Sequence, residues 1–327
     1  MHILITGAAG MVGRKLTEQL VADGGLNGQA IDKFTLVDVV APKSPAGFTG
    51  TVDAYALDVS REDAGRKLVD DRPDVIFHLA AVVSGEAEMD FEKGYRINLV
   101  GMHYLLEAIR TKGAYHPKMV FTSSIAVFGS PFPSEIPDNF FHTPLTSYGA
   151  QKGICELLLM DYTRKGFLDG VGIRLPTICV RPGTPNKAAS GFFSNIIREP
   201  LAGKDAVLPV EESVMHWHAS PKSAVGFLLH AGTMDLDAMG PRRNLSMPGM
   251  SVTVGEQIAA LDRVAGKNVT ARIKRVPDPT IIGIVSGWPR DFVTDRALKL
   301  GFTTAEKTFD DIIRIHIADE LGGKFAA

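Results

Sequence analysis

The chain has 327 residues, 45% hydrophobic and 22% charged, enough apolar content for a sizeable core spread over two modest lobes. Its 35 Lys and Arg nearly balance 37 Asp and Glu for a formal net charge of −2, which excludes the strongly basic footprint of a nucleic-acid or anionic-membrane binder. Two cysteines, Cys155 and Cys179, cannot build a disulfide framework, no apolar run nears the roughly 20 residues of a membrane span, and strand-like sequence starts at His2 without a signal-type leader, so a reduced, cytoplasmic protein is expected.

In chain order, His2–Thr6 (HILIT) reads as a strand and Met11–Ala22 as a helix. Phe34–Val40 is a second strand, followed by a Pro/Gly-rich loop over 41–50. A strand near Val52–Leu57, a helix near Ala64–Asp71, a strand Val75–Ala81 and a long helix Phe91–Lys112 follow. Met119–Ser123 is a strand, Ser147–Lys165 a helix, and Val171–Val180 closes the series. These strands are continuously apolar, as in a parallel sheet covered on both faces. Strand–helix–strand repetition implies right-handed crossovers and a doubly wound α/β fold. Beyond Val180 the pattern loosens: turn signals at 181–186 (RPGTPN), a strand Arg243–Met247 and a helix Val254–Ala265. The expected division is a nucleotide-binding domain over 1–181 and a smaller α/β substrate lobe over 182–327, some segments of which return to the first domain.

Between the first strand and first helix lies Gly7-Ala8-Ala9-Gly10-Met11-Val12-Gly13. Glycines at this spacing serve a tight turn, a close approach of backbone to pyrophosphate, and close helix–sheet packing. The open N–H groups of Met11, Val12 and Gly13 then face the phosphates. A turn that merely needs small residues is the bland alternative, and the strand-before, helix-after context argues against it. Asp38 ends the second strand, 25 residues past Gly13. A carboxylate there accepts from the adenosine ribose and repels a 2′-phosphate, and Val39 and Val40 supply no Arg for one, so NAD is favoured over NADP.

Tyr148 and Lys152 stand four apart at the start of a helix, on one face. Lysine charge beside a phenol lowers its pKa and makes it a base, and the same lysine can hold the nicotinamide ribose. Ser123 and Ser124 end the fifth strand, at the sheet edge where ligands bind. Ser124 is the candidate to orient a substrate oxygen; one of the two serines serves only the loop.

These motifs resemble the extended short-chain dehydrogenase/reductases. The glycine triplet, Asp38, Asp58-Val59, HLAA at 78–81, Asn98-x-x-Gly101, SSxxVFG and YxxxK match in order and spacing over about the first 180 residues. The resemblance implies a Rossmann fold and a Ser124/Tyr148/Lys152 mechanism. It implies that Asp58 and Val59 border the adenine, that Leu79, Ala80, Ala81 and Pro176 line the cofactor, and that Asn98 has a cofactor-side or structural role. His78 is then a packed strand residue. Phe128 stands where the family has Tyr, a conservative change.

Many members are nucleotide-sugar epimerases or dehydratases. Thr177 replaces the Asn of their Asn-x-x-Gly-Pro stretch, and Ser124-Ile125-Ala126 lacks the Thr-Asp-Glu that dehydration needs. The segment at 286–302 is similar instead to members that oxidise small hydroxy acids, such as the threonine dehydrogenases, and the tail together with 244–261 to the D-erythronate dehydrogenases. That likeness implies NAD-linked oxidation at C2 of a small sugar acid to the 2-oxo acid; the alternative is a nucleotide-sugar 4-epimerase with bound NAD. A non-catalytic NAD sensor is a third reading, which an intact base disfavours. Arg174 and Arg290 are candidates for the substrate carboxylate, with Ser84, Thr177 and Ile125 as further substrate contacts; for each Arg an ordinary salt bridge is the bland reading. His216 and His218 lack a third ligand at sensible spacing, so no metal is expected. The helices 91–112 and 147–165 are apolar on more than one face, which fits a homodimer through two helices per subunit, or cover by the C-terminal lobe.

Overall fold

The computed structural model describes residues 1–183 and 189–326. Seven strands make one parallel sheet: β1 (His2–Thr6), β2 (Lys33–Asp38), β3 (Thr51–Ala56), β4 (Val75–His78), β5 (Lys118–Ser124), β6 (Asp169–Leu175) and β7 (Asn244–Ser246). Their order is β7-β6-β5-β4-β1-β2-β3. The order reverses on either side of β1, the doubly wound pattern of a Rossmann sheet. Helices cover both faces because successive side chains alternate. Ile3, Ile5, Phe34 and Phe77 pack against Leu16 and Leu20 of α1 (Met11–Ala22) and Phe227 and Leu228 of the helix Pro221–Thr233. Leu4, Val37, Ile76 and Phe121 point the other way, against Leu68 of α2 (Ala64–Leu68), Leu105 and Leu106 of α3 (Gly101–Thr111), and Leu159 of α4 (Ser147–Arg164).

Two elements depart from the sequence expectation. The strand expected over 171–180 breaks at Pro176, which has no N–H for the ladder. Thr177–Ile178 instead joins a small sheet with Met215–Ala219 and Met250–Thr253. The helix expected over 91–112 has a widened π turn at Tyr95–Val100, the kind of irregularity that gathers at functional sites. β7 comes from the C-terminal part of the chain yet pairs with β6. A separate apolar cluster, with Phe193, Ile196, Leu201, Leu261 and Ile313, forms the C-terminal core. Of the turn expected at 181–186, residues 184–186 lie outside the described residues. No helix among the described residues is long and apolar enough to cross a membrane.

The register aligns the functional ends of the strands. Thr6 of β1 stands opposite Val37 and His78, and Ser124 of β5 opposite Leu175. Away from that edge, α2 meets α3 so closely that a Cβ on Gly65 would lie 2.2 Å from the Tyr104 carbonyl oxygen. Gly65→Ala should therefore lower stability by about 1–3 kcal/mol, read as a lower urea midpoint, while NAD affinity stays unchanged.

Candidate active site

The turn after β1 is built from backbone contact. Gly7 has φ +75°, and a Cβ there would lie 2.8 Å from the Ala80 nitrogen and the Leu79 carbonyl carbon. A Cβ on Gly13 would lie 2.3 Å from the Gly7 oxygen. The turn, α1 and the end of β4 thus leave no room for side chains, and Leu79 and Ala80 border the glycine turn, with Ala81 next in the chain. Gly10 precedes α1 with no side-chain cap, and the first turn holds no acid. The N–H groups of Met11, Val12 and Gly13 are open to an anion, with the helix dipole behind them. Asp38 reaches the same turn: its Oδ2 accepts from the Ala9 N–H at 3.0 Å and its Oδ1 from the Val39 N–H at 2.7 Å. The donor set and the glycine cradle fit a dinucleotide. His78 lies behind, its Nδ1 2.9 Å from Thr6 Oγ1; burial, then the Lys152 charge, pushes it down to about 3, so it is a neutral packed residue.

Asp58 accepts from the Ser60 N–H and Oγ at 2.9 and 2.5 Å and from Arg96 Nη1 at 3.0 Å. Burial raises its carboxyl, but these donors hold it below its ordinary value. Arg96 was not legible in sequence, because it meets Asp58 only through the fold. Val59 is buried beside them. Asn98, on the π turn, accepts from the Val82 N–H at 2.8 Å and donates to the Val82 carbonyl at 3.2 Å and to Gln151 Oε1 at 2.7 Å. Of the two roles open to it, this geometry serves the structural one: it ties the loop after β4 to α4.

Ser124, at the end of β5, accepts the Ala126 N–H at 3.1 Å, which leaves its proton to donate. Thr146 caps α4 through the Gly149 N–H at 3.1 Å, and Glu88 takes the Ser147 N–H at 2.8 Å. These bonds fix the first turn of α4, which carries Tyr148. Lys152 follows one turn later, buried, donating to the Thr122 carbonyl at 2.7 Å, with Nζ 4.6 Å from the Phe121 ring centroid and 5.7 Å from that of Tyr148. Burial pulls its ammonium down to about 8, against the pull of Cys155 and Glu156. Burial pushes the Tyr148 phenol above its ordinary value, opposed by the Ser124 hydroxyl and the Arg181 charge.

Arg181 is the site residue that sequence reasoning missed; its position just past Cys179-Val180 in a turn-rich stretch gave no signal. Its Nε donates to the Ile178 carbonyl at 3.0 Å and its Nη2 to Ser190 Oγ at 3.2 Å. Among the described residues no carboxylate forms an ion pair with it. Arg174 is the converse. It is buried, its Nε 2.9 Å from Glu156 Oε1 and its Nη2 2.7 Å from Oε2, with the guanidinium over the Phe128 ring. Ser123 Oγ donates to the same carboxylate at 2.5 Å, and His142 Nε2 lies 2.9 Å from it. Arg174 therefore belongs to an internal ion pair rather than to a substrate carboxylate, and Ser123 is the serine with the structural duty.

The other expected contacts are dispersed. Arg290 is exposed, and its carbonyl accepts from Ser251 Oγ at 2.8 Å. Ser84 is half-buried at the start of the helix Ser84–Met89, Ile125 is buried in the turn that Ser124 caps, and Pro176 is buried at the end of β6. Thr177 Oγ1 lies 2.7 Å from His216 Nε2. Among the described residues no group of three or more His, Cys, Asp or Glu could hold a metal ion.

The fold and this arrangement define an oxidoreductase of the extended short-chain dehydrogenase/reductase kind. Residues 3–219 match the NAD dependent epimerase/dehydratase family, and the chain belongs to it. It is 44% identical over 323 residues to a D-erythronate dehydrogenase of Cupriavidus necator, with 98% of each chain covered. It is 40% identical over 321 residues to one of Haemophilus influenzae, covering 98% of this chain and 100% of that one. A crystal structure described as the nucleoside-diphosphate-sugar epimerase from Agrobacterium tumefaciens superposes with a TM-score of 0.96 at 64% identity, over 99% of this chain and 95% of that chain. The GalE-like L-threonine dehydrogenase from Cupriavidus necator, in its holo form, superposes at 0.84 with 21% identity over 98% and 99%, a likeness of fold alone.

Burial would raise the Glu156 carboxyl, but the Arg174 charge and the hydrogen bonds of His142 and Arg174 hold it below its ordinary 4.5. The stability this carboxylate contributes is complete above that value and is lost as the pH falls below it toward the folded value of about 2. Glu156→Gln leaves Arg174 buried without a counter-charge and should cost about 3–5 kcal/mol at pH 7. The loss relative to the parent should shrink in acid, which urea unfolding at pH 7 and pH 4 checks.

Proposed function

We propose that this chain is an NAD-dependent dehydrogenase that oxidises the C2 hydroxyl of D-erythronate, or a closely similar sugar acid, to the 2-oxo acid. The observation that carries this reading is the meeting of Ser124, Tyr148 and Lys152 at the sheet edge, under the charge of an Arg181 with no carboxylate partner among the described residues. A base beside a half-buried cation with no ion-pair partner among the described residues suits a substrate that is both an alcohol and an anion. The full-length likeness to two D-erythronate dehydrogenases supports the same substrate class.

In this reading the N–H groups of Met11, Val12 and Gly13 hold the pyrophosphate, Asp38 the adenosine ribose, and Asp58 and Val59 the adenine edge. Leu79, Ala80, Ala81 and Pro176 line the cleft, and Lys152 holds the nicotinamide ribose. Bound NAD supplies the hydride acceptor. Ser124 donates its free proton to the substrate oxygen. Tyr148 takes the hydroxyl proton at its phenolic oxygen. Burial favours the neutral phenol, so the base form depends on positive charge nearby. Arg181 supplies part of that charge and anchors the carboxylate; Ser84 and Arg290 are left for the rest of the substrate.

A second reading, a nucleotide-sugar 4-epimerase with bound NAD, is favoured by the description of the 64% identical Agrobacterium tumefaciens structure. Thr177, in place of the Asn of the epimerase pattern, weighs against it. Net NADH formation from D-erythronate separates the two, since an epimerase returns its hydride. Tyr148→Phe should lower that rate about 10²–10⁴-fold with NAD still bound, as followed by protein fluorescence quenching. Undiminished turnover in this variant would refute the assignment.

We also assign a homodimer in the cytoplasm. Leu157 and Ile154 of α4 are 57% and 36% exposed, and Phe91 nearby in the fold's second helical layer is 59% exposed. These apolar side chains need cover, and a second copy presenting the same face supplies it. Leu157→Arg should convert a dimer to a monomer in sedimentation velocity.

A further inference from the structure

Thr177 stands two residues beyond Leu175, the register partner of Ser124. The chain leaves the ladder at Pro176, so Thr177 lies within about 7 Å of Leu175, near the sheet edge that carries Ser124. It is half-buried, with part of its surface open.

The inward side is fixed by His216. This ring is buried, parallel to Phe193 at a centroid distance of 5.2 Å and beside Trp288 at 5.2 Å. Its Nδ1 lies 3.0 Å from the Pro289 carbonyl oxygen. A carbonyl only accepts, so Nδ1 carries the proton. Burial holds the imidazole neutral, pushed down to about 4, so Nε2 bears a lone pair. Thr177 Oγ1, 2.7 Å from Nε2, must therefore be the donor. Its one proton is spent inward, and only its lone pairs remain for the cleft.

We propose that Thr177 determines substrate specificity by accepting a hydrogen bond from a second substrate hydroxyl, next to the carbon that is oxidised, and that His216 is the residue that positions it. The inference rests on the sugar-acid reading and narrows it to vicinal dihydroxy acids. A hydroxyl with no proton to give also repels a carboxylate, which leaves the acid group to Arg181. The Asn of the epimerase pattern would offer a donor there; Thr177 bound to His216 offers none.

The test compares kcat/KM for D-erythronate with that for its 3-deoxy and 3-fluoro analogues, in the parent enzyme and in Thr177→Ser, Thr177→Val and His216→Phe. The parent should favour the hydroxylated acid about 10–100-fold, the loss expected when a buried acceptor goes unpaired. Thr177→Ser should keep that preference, and Thr177→Val should reduce it to near unity. His216→Phe frees the Thr177 proton to turn outward, so the gap between the hydroxyl and fluoro substrates should narrow. NAD dissociation constants should not change in any variant. If a variant does not fold, the ratio in the parent enzyme still decides. Equal use of hydroxyl and deoxy acids by the parent, or a full preference retained by Thr177→Val, overturns this inference and leaves the dehydrogenase reading standing. A parent enzyme that forms no NADH from either acid overturns both.

Discussion

A half-buried phenol and a buried ammonium are held one helical turn apart, and most of the architecture around them answers that constraint. Lys152 is buried beside Phe121 and needs a fixed acceptor, which the Thr122 carbonyl provides. Tyr148 is driven toward its neutral form by the same burial. Such a pair is useful only if its geometry is rigid and other charges are placed to tune it. The cap at Thr146, the Glu88 contact and the Glu156 cluster fix α4 at its start and along its inner face. The helix α4 is thereby clamped to β5 and β6.

The sheet solves a second problem, that of bringing distant segments to one line. Parallel register puts Thr6, Asp38, His78, Ser124 and Leu175 at the same edge, although they span most of the first half of the chain. Backbone contact between Gly7, Gly13 and Ala80 then lets the helix dipole of α1 point into that edge. Proline at 176 ends the ladder there and sends the chain into the small sheet that carries Thr177.

Two arginines show how partners rather than residue type decide a role. Arg174 and Arg181 stand seven residues apart. The first meets Glu156 in a bidentate pair over Phe128 and becomes part of the core. Among the described residues the guanidinium of the second is held by a carbonyl and a hydroxyl, and its charge reaches Tyr148. Desolvating a guanidinium without a counter-ion is costly, and such an arrangement is suited to an anionic ligand.

Much of this was legible in the amino-acid sequence. The glycine triplet, Asp38 and the Tyr148/Lys152 spacing are local patterns, and short-range geometry is dictated by backbone and helix periodicity. Apolar runs separated by helical segments likewise imposed the parallel sheet. Arg181, Glu156, Arg96 and the Thr177–His216 pair were not legible, because each acquires its role from a partner far along the chain. The same is true of β7, which pairs across a long excursion, and of the widened turn that holds Asn98 against Val82. The sequence by itself determined the elements, the glycine turn and the Tyr148/Lys152 spacing, since these depend on neighbours a few residues away. Only the tertiary structure decided which charges are neutralised, which way the Thr177 proton points and which arginine lacks an ion pair among the described residues, since burial and hydrogen-bond partnership exist only once the chain has closed on itself.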